Sequence, residues 1–217
     1  ICCSQASYVV HSALGYCKKK MVVIPNGFNL KEYHPNVNAK LHLLREFNLP
    51  GNANVIGLIA RWNPQKDHKN FVSAASILSQ HLPNVYYLLC GDGVTWENQE
   101  LVSWITTHKL NDKFLLLGRR DDIPKLIAGF DLVTSSSAYG EGFPNVLGEA
   151  MASGVPCVAT DVGDSAYIIG DTGITVSPRN PEKLANAWMR MINRTDKDEL
   201  GIKARNRILS NFDIDKI

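Results

Sequence analysis

The sequence predicts an α/β domain built on a doubly wound parallel sheet, and three observations carry that expectation. First, 217 residues (24.0 kDa) with 45% hydrophobic and 20% charged side chains suffice for one large core. Second, six short runs are apolar at consecutive positions, as strands covered on both faces must be. Third, segments of helical periodicity separate those runs, the alternation that places helices on both sides of a parallel, Rossmann-like sheet through right-handed crossovers.

Taken in order, Ser4–Lys20 reads as the end of a helix with no visible cap at its start. Its last turn, Lys18-Lys19-Lys20, suits the negative end of the helix dipole. The apolar run Met21–Ile24 stops at the turn signal Pro25-Asn26-Gly27. Val37–Phe47 is helical in period, with Leu41, Leu44 and Phe47 on one face. The strands expected next are Val55–Ala60, Val85–Cys90, Phe114–Leu117, Leu132–Thr134, Cys157–Thr160 and Ile174–Val176. Helices are expected over His68–Gln80, Trp96–Lys109, Ile123–Ala128, Pro144–Ala152, Glu182–Ile192 and Lys203–Asn211. Both ends read as cut, so residues 1–30 are taken as the tail of a preceding domain with its linker, and 31–217 as the domain proper.

Composition removes several function classes. The 23 basic and 21 acidic residues give a net charge of +2, too even to argue for nucleic acid. No apolar run is long enough to span a bilayer. The five cysteines share no metal-ligand spacing, and Cys90 and Cys157 sit in apolar runs as small hydrophobes, which points to a reducing compartment. Gly91-Asp92-Gly93 is followed by Trp96 where a dinucleotide fingerprint needs its third glycine. Gly-Lys-Ser/Thr and Gly-x-Ser-x-Gly are both missing, and Asp121-Asp122 has no supporting metal ligands.

Ligands of such sheets bind beyond the carboxyl ends of the strands. There the sequence gathers Arg61 and Lys66, Gly91-Asp92-Gly93, Gly118-Arg119-Arg120, and the run Ser135–Asn145 with Gly140-Glu141-Gly142-Phe143-Pro144. Pro144 is expected at the first position of a helix, so the Asn145 and Val146 amides become unpaired first-turn donors suited to phosphate. Glu149 shares a helix face with Asn145, and Glu141 precedes the helix. Two cations at about 4 Å from a diphosphate, each worth roughly 4 kcal/mol at an effective dielectric near 20, outweigh a carboxylate several ångströms away. The implied ligand has a central diphosphate flanked by hydroxyl-rich groups, as a nucleotide-sugar has. Blander readings stand beside this one. Arg61 and Lys66 also suit solvated loops, Glu149 an exposed helix face, Arg119 and Arg120 pairing with Asp121 and Asp122, and His68 a plain helix start.

These segments resemble the donor-binding C-terminal half of family 4 glycosyltransferases, two-domain enzymes of the GT-B fold. The resemblance runs from Val22–Gly27 through Ile56–Arg61 and Pro64–Asp67 to Glu141–Pro156. It implies that Arg61 and Lys66 hold the diphosphate and stabilise the leaving group, and that Glu141 with the Gly142, Phe143 and Pro144 backbone meets the donor sugar. It further implies phosphate contacts from Asn145 and Val146, ribose contacts from Glu149, and a base bordered by the loop Gly118, Arg119 to Ile123. The expected activity is retaining, metal-independent hexosyl transfer from a UDP- or GDP-type sugar. Its setting is surface polysaccharide or glycolipid synthesis, in the cytoplasm or at the inner face of its membrane. The acceptor half is absent from the sequence, so the piece is expected to bind nucleotide weakly and to turn nothing over alone. A nucleotide-sugar epimerase and a non-catalytic nucleotide-binding module are the rival readings.

Overall fold

In the computed structural model, which describes residues 1–217, all six runs join one parallel sheet. Its strands are β1 (Asn54–Ile59), β2 (Val85–Cys90), β3 (Phe114–Leu116), β4 (Leu132–Ser135), β5 (Cys157–Thr160) and β6 (Ile174–Val176). Their order across the sheet is β3-β2-β1-β4-β5-β6. Strand order reverses between β1 and β4, where Ile56 pairs with Leu132 and Gly57 with Val133. Crossovers leave this line in opposite directions, so a crevice opens above it at the carboxyl edge.

The helices are α1 (Gln5–Ala13), α2 (Ala39–Glu46), α3 (His68–Ser79), α4 (Gln99–Thr107), α5 (Ile123–Ala128), α6 (Asn145–Ala152), α7 (Ser165–Ile169), α8 (Pro181–Ile192) and α9 (Lys197–Asn211). Because strand side chains alternate between faces, each strand feeds two cores. Ile56, Leu58, Tyr87 and Leu89 pack on one face with Phe71 of α3, Leu101 and Ile105 of α4, and Trp188 of α8. Val55, Leu88, Cys90 and Val133 pack on the other with Leu43 and Leu44 of α2, Leu126 of α5, Met151 of α6 and Ile208 of α9. Trp188 is fully buried, and its indole N–H donates to Thr134 Oγ1 at 2.8 Å, so the largest core side chain leaves no donor unmet. Cys90 and Cys157 are buried in their strands, and all five cysteines are free thiols.

Several boundaries differ from expectation for identifiable reasons. The N-terminal helix ends at Ala13 rather than Lys20, because Gly15 takes a left-handed conformation (φ 90°); Lys18–Lys20 form a separate 3-10 turn. That helix does have a cap, since Ser4 Oγ accepts from the Ser7 N–H at 2.9 Å. Asn98 caps α4 through the Leu101 N–H, which moves the start past the partly exposed Trp96. α9 begins six residues earlier than its apolar pattern indicates. The one-and-a-half-turn α7 carries too little periodicity to be read from sequence.

α1 has no buried residue, and Ile1, Val9, Val10, Leu14, Tyr16, Val22 and Ile24 are all exposed. The main core begins at Phe28, buried against Phe143, which packs in turn on Phe212.

Candidate functional site

The carboxyl edge holds an open cleft of about 520 Å³, lined by Ile59, Ala60, Arg61, Gln65, Lys66, Cys90, Gly91 and Glu141. Arg61 lies two residues beyond the end of β1 and is exposed, with no acidic partner. Lys66 ends a 3-10 turn, Pro64–Lys66, whose start is capped by Asn63 Oδ1 accepting from the Gln65 N–H at 2.9 Å.

Across the switch point, the loop after β4 is bonded to this turn. The Ala138 N–H donates to the Gln65 carbonyl at 2.8 Å, and Ser136 Oγ donates to the Lys66 carbonyl at 2.8 Å. Lys66 Nζ meets Glu141 Oε1 at 2.5 Å, and Ser137 Oγ donates to the same oxygen. The Glu141 side chain is only 8% exposed, so Lys66 and Ser137 supply the charge and hydrogen bond that such burial demands. Thr160 Oγ1, from β5, holds the Ser137 carbonyl at 2.6 Å. Glu141 is thus fixed by residues from three strand ends. Gly163 closes the far wall: a Cβ there would stand 2.4 Å from the Glu141 carbonyl oxygen, and its φ is 62°. The Asp164 N–H donates to the Gly142 carbonyl, while its carboxylate accepts from Gln5 and Ala6 N–H at 2.8 and 2.9 Å and so caps α1.

Beyond Glu141 the chain turns into α6. Pro144 proves to be the N-cap, one position before the helix, with its φ of −71° leading in. The consequence for the next residues is as expected: the Asn145 and Val146 N–H groups have no acceptor in the protein. Asn145 Oδ1 accepts from Asn26 Nδ2 at 2.8 Å, bringing the Pro25-Asn26-Gly27 turn to the helix start. The Phe143 side chain is buried in the core, leaving only its backbone for a ligand. Neither Asn145, Val146 nor Glu149 lines the cleft of Arg61.

Glu149 lies one turn into α6, facing Glu32 and Tyr33. Burial, then the charge of Glu32, pushes its carboxyl up to about 7, against a partial offset by the Tyr33 hydroxyl. Burial and the Glu149 charge likewise push the Tyr33 phenol up. The Tyr33 hydroxyl is the only protein neighbour that favours the charged carboxyl here, and it does not offset burial and Glu32.

At the β2 and β3 ends, the Gly91 N–H donates to the Gly118 carbonyl, and Gly118 turns with φ 64°. The two arginines separate in role. Arg120 holds Asp122 through two bonds of 2.7 Å and reaches Glu46 at 2.9 Å, a structural clamp between α2 and α5. Arg119 is exposed and unpaired, and Ile123 starts α5 beside it. His68 opens α3, buried under the Trp62 ring at 5.0 Å. Burial lowers its imidazole to about 4. The roles of Ser137, Tyr33 and Asp164 were not read from the sequence: Tyr33 and Asp164 act through partners distant in the chain, for which a single sequence carries no signal, and Ser137 meets Glu141 four residues on. No three His, Cys, Asp or Glu side chains gather as a metal site.

The site therefore joins a cationic lip, a buried glutamate paired with a half-buried lysine and a helix start with free amides, on a sheet of the GT-B glycosyltransferase type. Residues 53–194 match the family described as glycosyl transferases group 1, and the chain belongs to that family. It is 27% identical over 201 residues to the UDP-Gal:alpha-D-GlcNAc-diphosphoundecaprenol alpha-1,3-galactosyltransferase of Escherichia coli, covering 91% of this chain and 51% of that one. It is 30% identical over 183 residues to the N-acetyl-alpha-D-glucosaminyl L-malate synthase of Bacillus anthracis, covering 81% and 46%. The chain thus spans about half the length of these curated relatives. Among solved structures, Anabaena HepE in complex with UDP and glucose superposes with a TM-score of 0.90 at 30% identity, covering 99% of this chain and 59% of that one.

Proposed function

We propose that this chain is the donor-binding part of a retaining, metal-independent hexosyltransferase of glycosyltransferase family 4, acting from a UDP- or GDP-type sugar. The observation that carries the reading is the cleft shared by Arg61, Lys66 and Glu141 at the switch point. In transfer, the bond between the anomeric carbon and the diphosphate breaks, the acceptor hydroxyl oxygen bonds to that carbon, and the hydroxyl proton passes to an oxygen of the departing diphosphate. Negative charge grows on the departing diphosphate, where Arg61 and Lys66 stabilise it. Lys66 has three N–H donors, so it takes a phosphate oxygen without releasing Glu141. Glu141 and the Gly142, Phe143 and Pro144 backbone face the sugar, and the Asn145 and Val146 amides take phosphate oxygens. Glu149 takes ribose hydroxyls, while Gly118, Arg119 and Ile123 border the base. UDP in the HepE complex supports the nucleotide class.

Residues 1–30 belong, in this reading, to an N-terminal acceptor domain and its linker, and 31–217 form the donor domain. The exposed apolar side chains of α1 and of Val22 and Ile24, together with a length about half that of the relatives, support this division. The diphosphoundecaprenol in the Escherichia coli relative's name supports surface glycolipid or polysaccharide synthesis, and with it work in the cytoplasm or at the inner face of its membrane. No helix of the chain is long and apolar enough to cross a membrane.

Calorimetric titration with UDP and GDP, repeated on Arg61→Ala, tests the assignment. Loss of a charge-assisted contact is expected to weaken the preferred nucleotide by about 10- to 100-fold. Equal affinities in both proteins would remove the diphosphate from this cleft, and acceptor-independent isomerisation of the sugar would indicate an epimerase instead.

A further inference from the structure

Residues 1–24, which include α1, share only two hydrogen bonds with residues 25–217, and both end on the carboxylate of Asp164. The Gln5 N–H donates to its Oδ2 at 2.8 Å and the Ala6 N–H to its Oδ1 at 2.9 Å. We propose that Asp164 is a positioning residue for the donor-sugar loop, passing the seat of α1 on to Glu141 and Gly142, an inference that rests on the donor-binding reading above.

The carboxylate is committed to α1. Asp164 stands at the N-cap of α7, where an aspartate ordinarily accepts from the amides of its own helix, yet it makes no such bond. It is 5% exposed and has no cationic partner. A charge buried without a counter-ion needs strong hydrogen bonds, and the two first-turn amides at the positive dipole end of α1 supply them. α1 in turn buries no side chain, so no packed face holds it in place. The two bonds to Asp164 therefore set where the helix starts.

The same residue reaches the loop assigned to the sugar. The Asp164 N–H donates to the Gly142 carbonyl at 2.9 Å. Gly142 also lies against α1, since a Cβ there would stand 3.0 Å from Ser7 Oγ and 3.3 Å from Ser4 Oγ. Glu141 is pinned by Lys66 and Ser137, and Phe143 by the core, which leaves the Gly142 peptide to be set by Asp164 and α1. A displacement of α1 thus reaches this peptide through one residue, without crossing the core. With residues 1–30 read as the tail of an acceptor domain, the seating of that domain and of the donor sugar are coupled at Asp164. Neither Arg61 nor Glu149 bonds to any of these residues, so the sugar and not the nucleotide should register the coupling.

Calorimetric titration of the protein with UDP and with UDP-glucose separates the two. Asp164→Ala is expected to weaken UDP-glucose at least about tenfold and UDP by less than about twofold. Gln5→Pro is the milder probe. Proline suits the first helical position, and the preceding Ser4 is extended (φ −153°), so α1 persists while the N–H that meets Oδ2 is gone. This variant should weaken UDP-glucose about three- to tenfold, again sparing UDP. Gln5 is exposed, so it keeps the test decisive should Asp164→Ala fold poorly. Unchanged UDP-glucose affinity in Gln5→Pro, or equal losses for both ligands, would refute the coupling and leave the donor reading standing. No heat with UDP-glucose in the parent would remove the donor from this loop, and the proposal with it.

Discussion

Replacing Glu149 by Gln should make the protein more stable, and by an amount that depends on pH. Burial and the charge of Glu32 hold the carboxyl at about 7 in the folded chain, whereas an unperturbed glutamate titrates at 4.5. Between those values the folded state keeps a proton that the unfolded state has released, so stability falls as pH rises through the window. Below 4.5 both states are protonated and the group costs nothing; above 7 both are ionised and the full cost is present. At 1.36 kcal/mol per pH unit the gap amounts to about 3 kcal/mol. Glutamine keeps the shape and an acceptor for the Tyr33 hydroxyl but never carries the charge. Urea denaturation of both proteins at pH 4.5 and pH 8 reads the difference directly. The variant should gain about 3 kcal/mol at pH 8, a melting point higher by about 6–12 °C for a chain of this length, and little at pH 4.5. A variant equally or less stable at pH 8 would refute the argument, because Glu149 would then be compensated within the protein. If Glu149 serves ribose hydroxyls, the same variant should lose nucleotide affinity while gaining stability, the trade expected of a binding residue.

Two further substitutions probe the edge. Gly163→Ala sets a Cβ 2.4 Å from the Glu141 carbonyl oxygen at a left-handed φ, where only backbone could yield; chemical denaturation should show a loss of about 2–3 kcal/mol, and an unchanged midpoint would mean the loop is not held there. His68 is kept neutral down to about 4 against 6.5 in an unfolded chain, so its contribution to stability is present above 6.5 and is lost as pH falls toward 4. His68→Phe should therefore resist acid better than the parent by about 2 kcal/mol at pH 5 relative to pH 7, measured by melting at both values, and parallel pH profiles would contradict it.

The sheet was legible because its strands are apolar at most consecutive positions, a signal independent of partners. Val85–Cys90, Cys157–Thr160 and Ile174–Val176 match their expected bounds. Strand order was not legible, since pairing β1 with both β2 and β4 is decided by crossovers and not by any local pattern. Helix ends differ where a cap or a left-handed glycine outranks periodicity, as at Asn98 of α4 and Gly15 after α1. At the site, the positions of Arg61, Lys66 and Glu141 after their strands were readable. The ion pair between Lys66 and Glu141, 75 residues apart, was not, nor was the pressure of Glu32 on Glu149. Glu141 lies in a glycine-rich loop, where burial with Lys66 and Ser137 makes it the keystone.

The two ends of the sheet treat polar groups differently, and the contrast argues for function at one of them. At the amino edge, Asp131 lies just before β4, and its carboxylate is met by Lys40 and by the Val55 N–H. Both bonds go to Oδ2, so the charge is answered within the chain. At the carboxyl edge, His68 and Asn70 hold all four of the buried side-chain nitrogens and oxygens that lack partners. Asn145 and Val146 offer free amides, Arg61 and Arg119 stand unpaired, and Glu149 is buried beside another acid. A fold shaped by stability alone would have matched these groups as it matched Asp131, and a carboxylate costing about 3 kcal/mol would have been replaced. Free amides at the start of α6, unpaired cations and a misplaced acid on one rim are the groups that the proposed nucleotide-sugar would complete with its oxygens and hydroxyls.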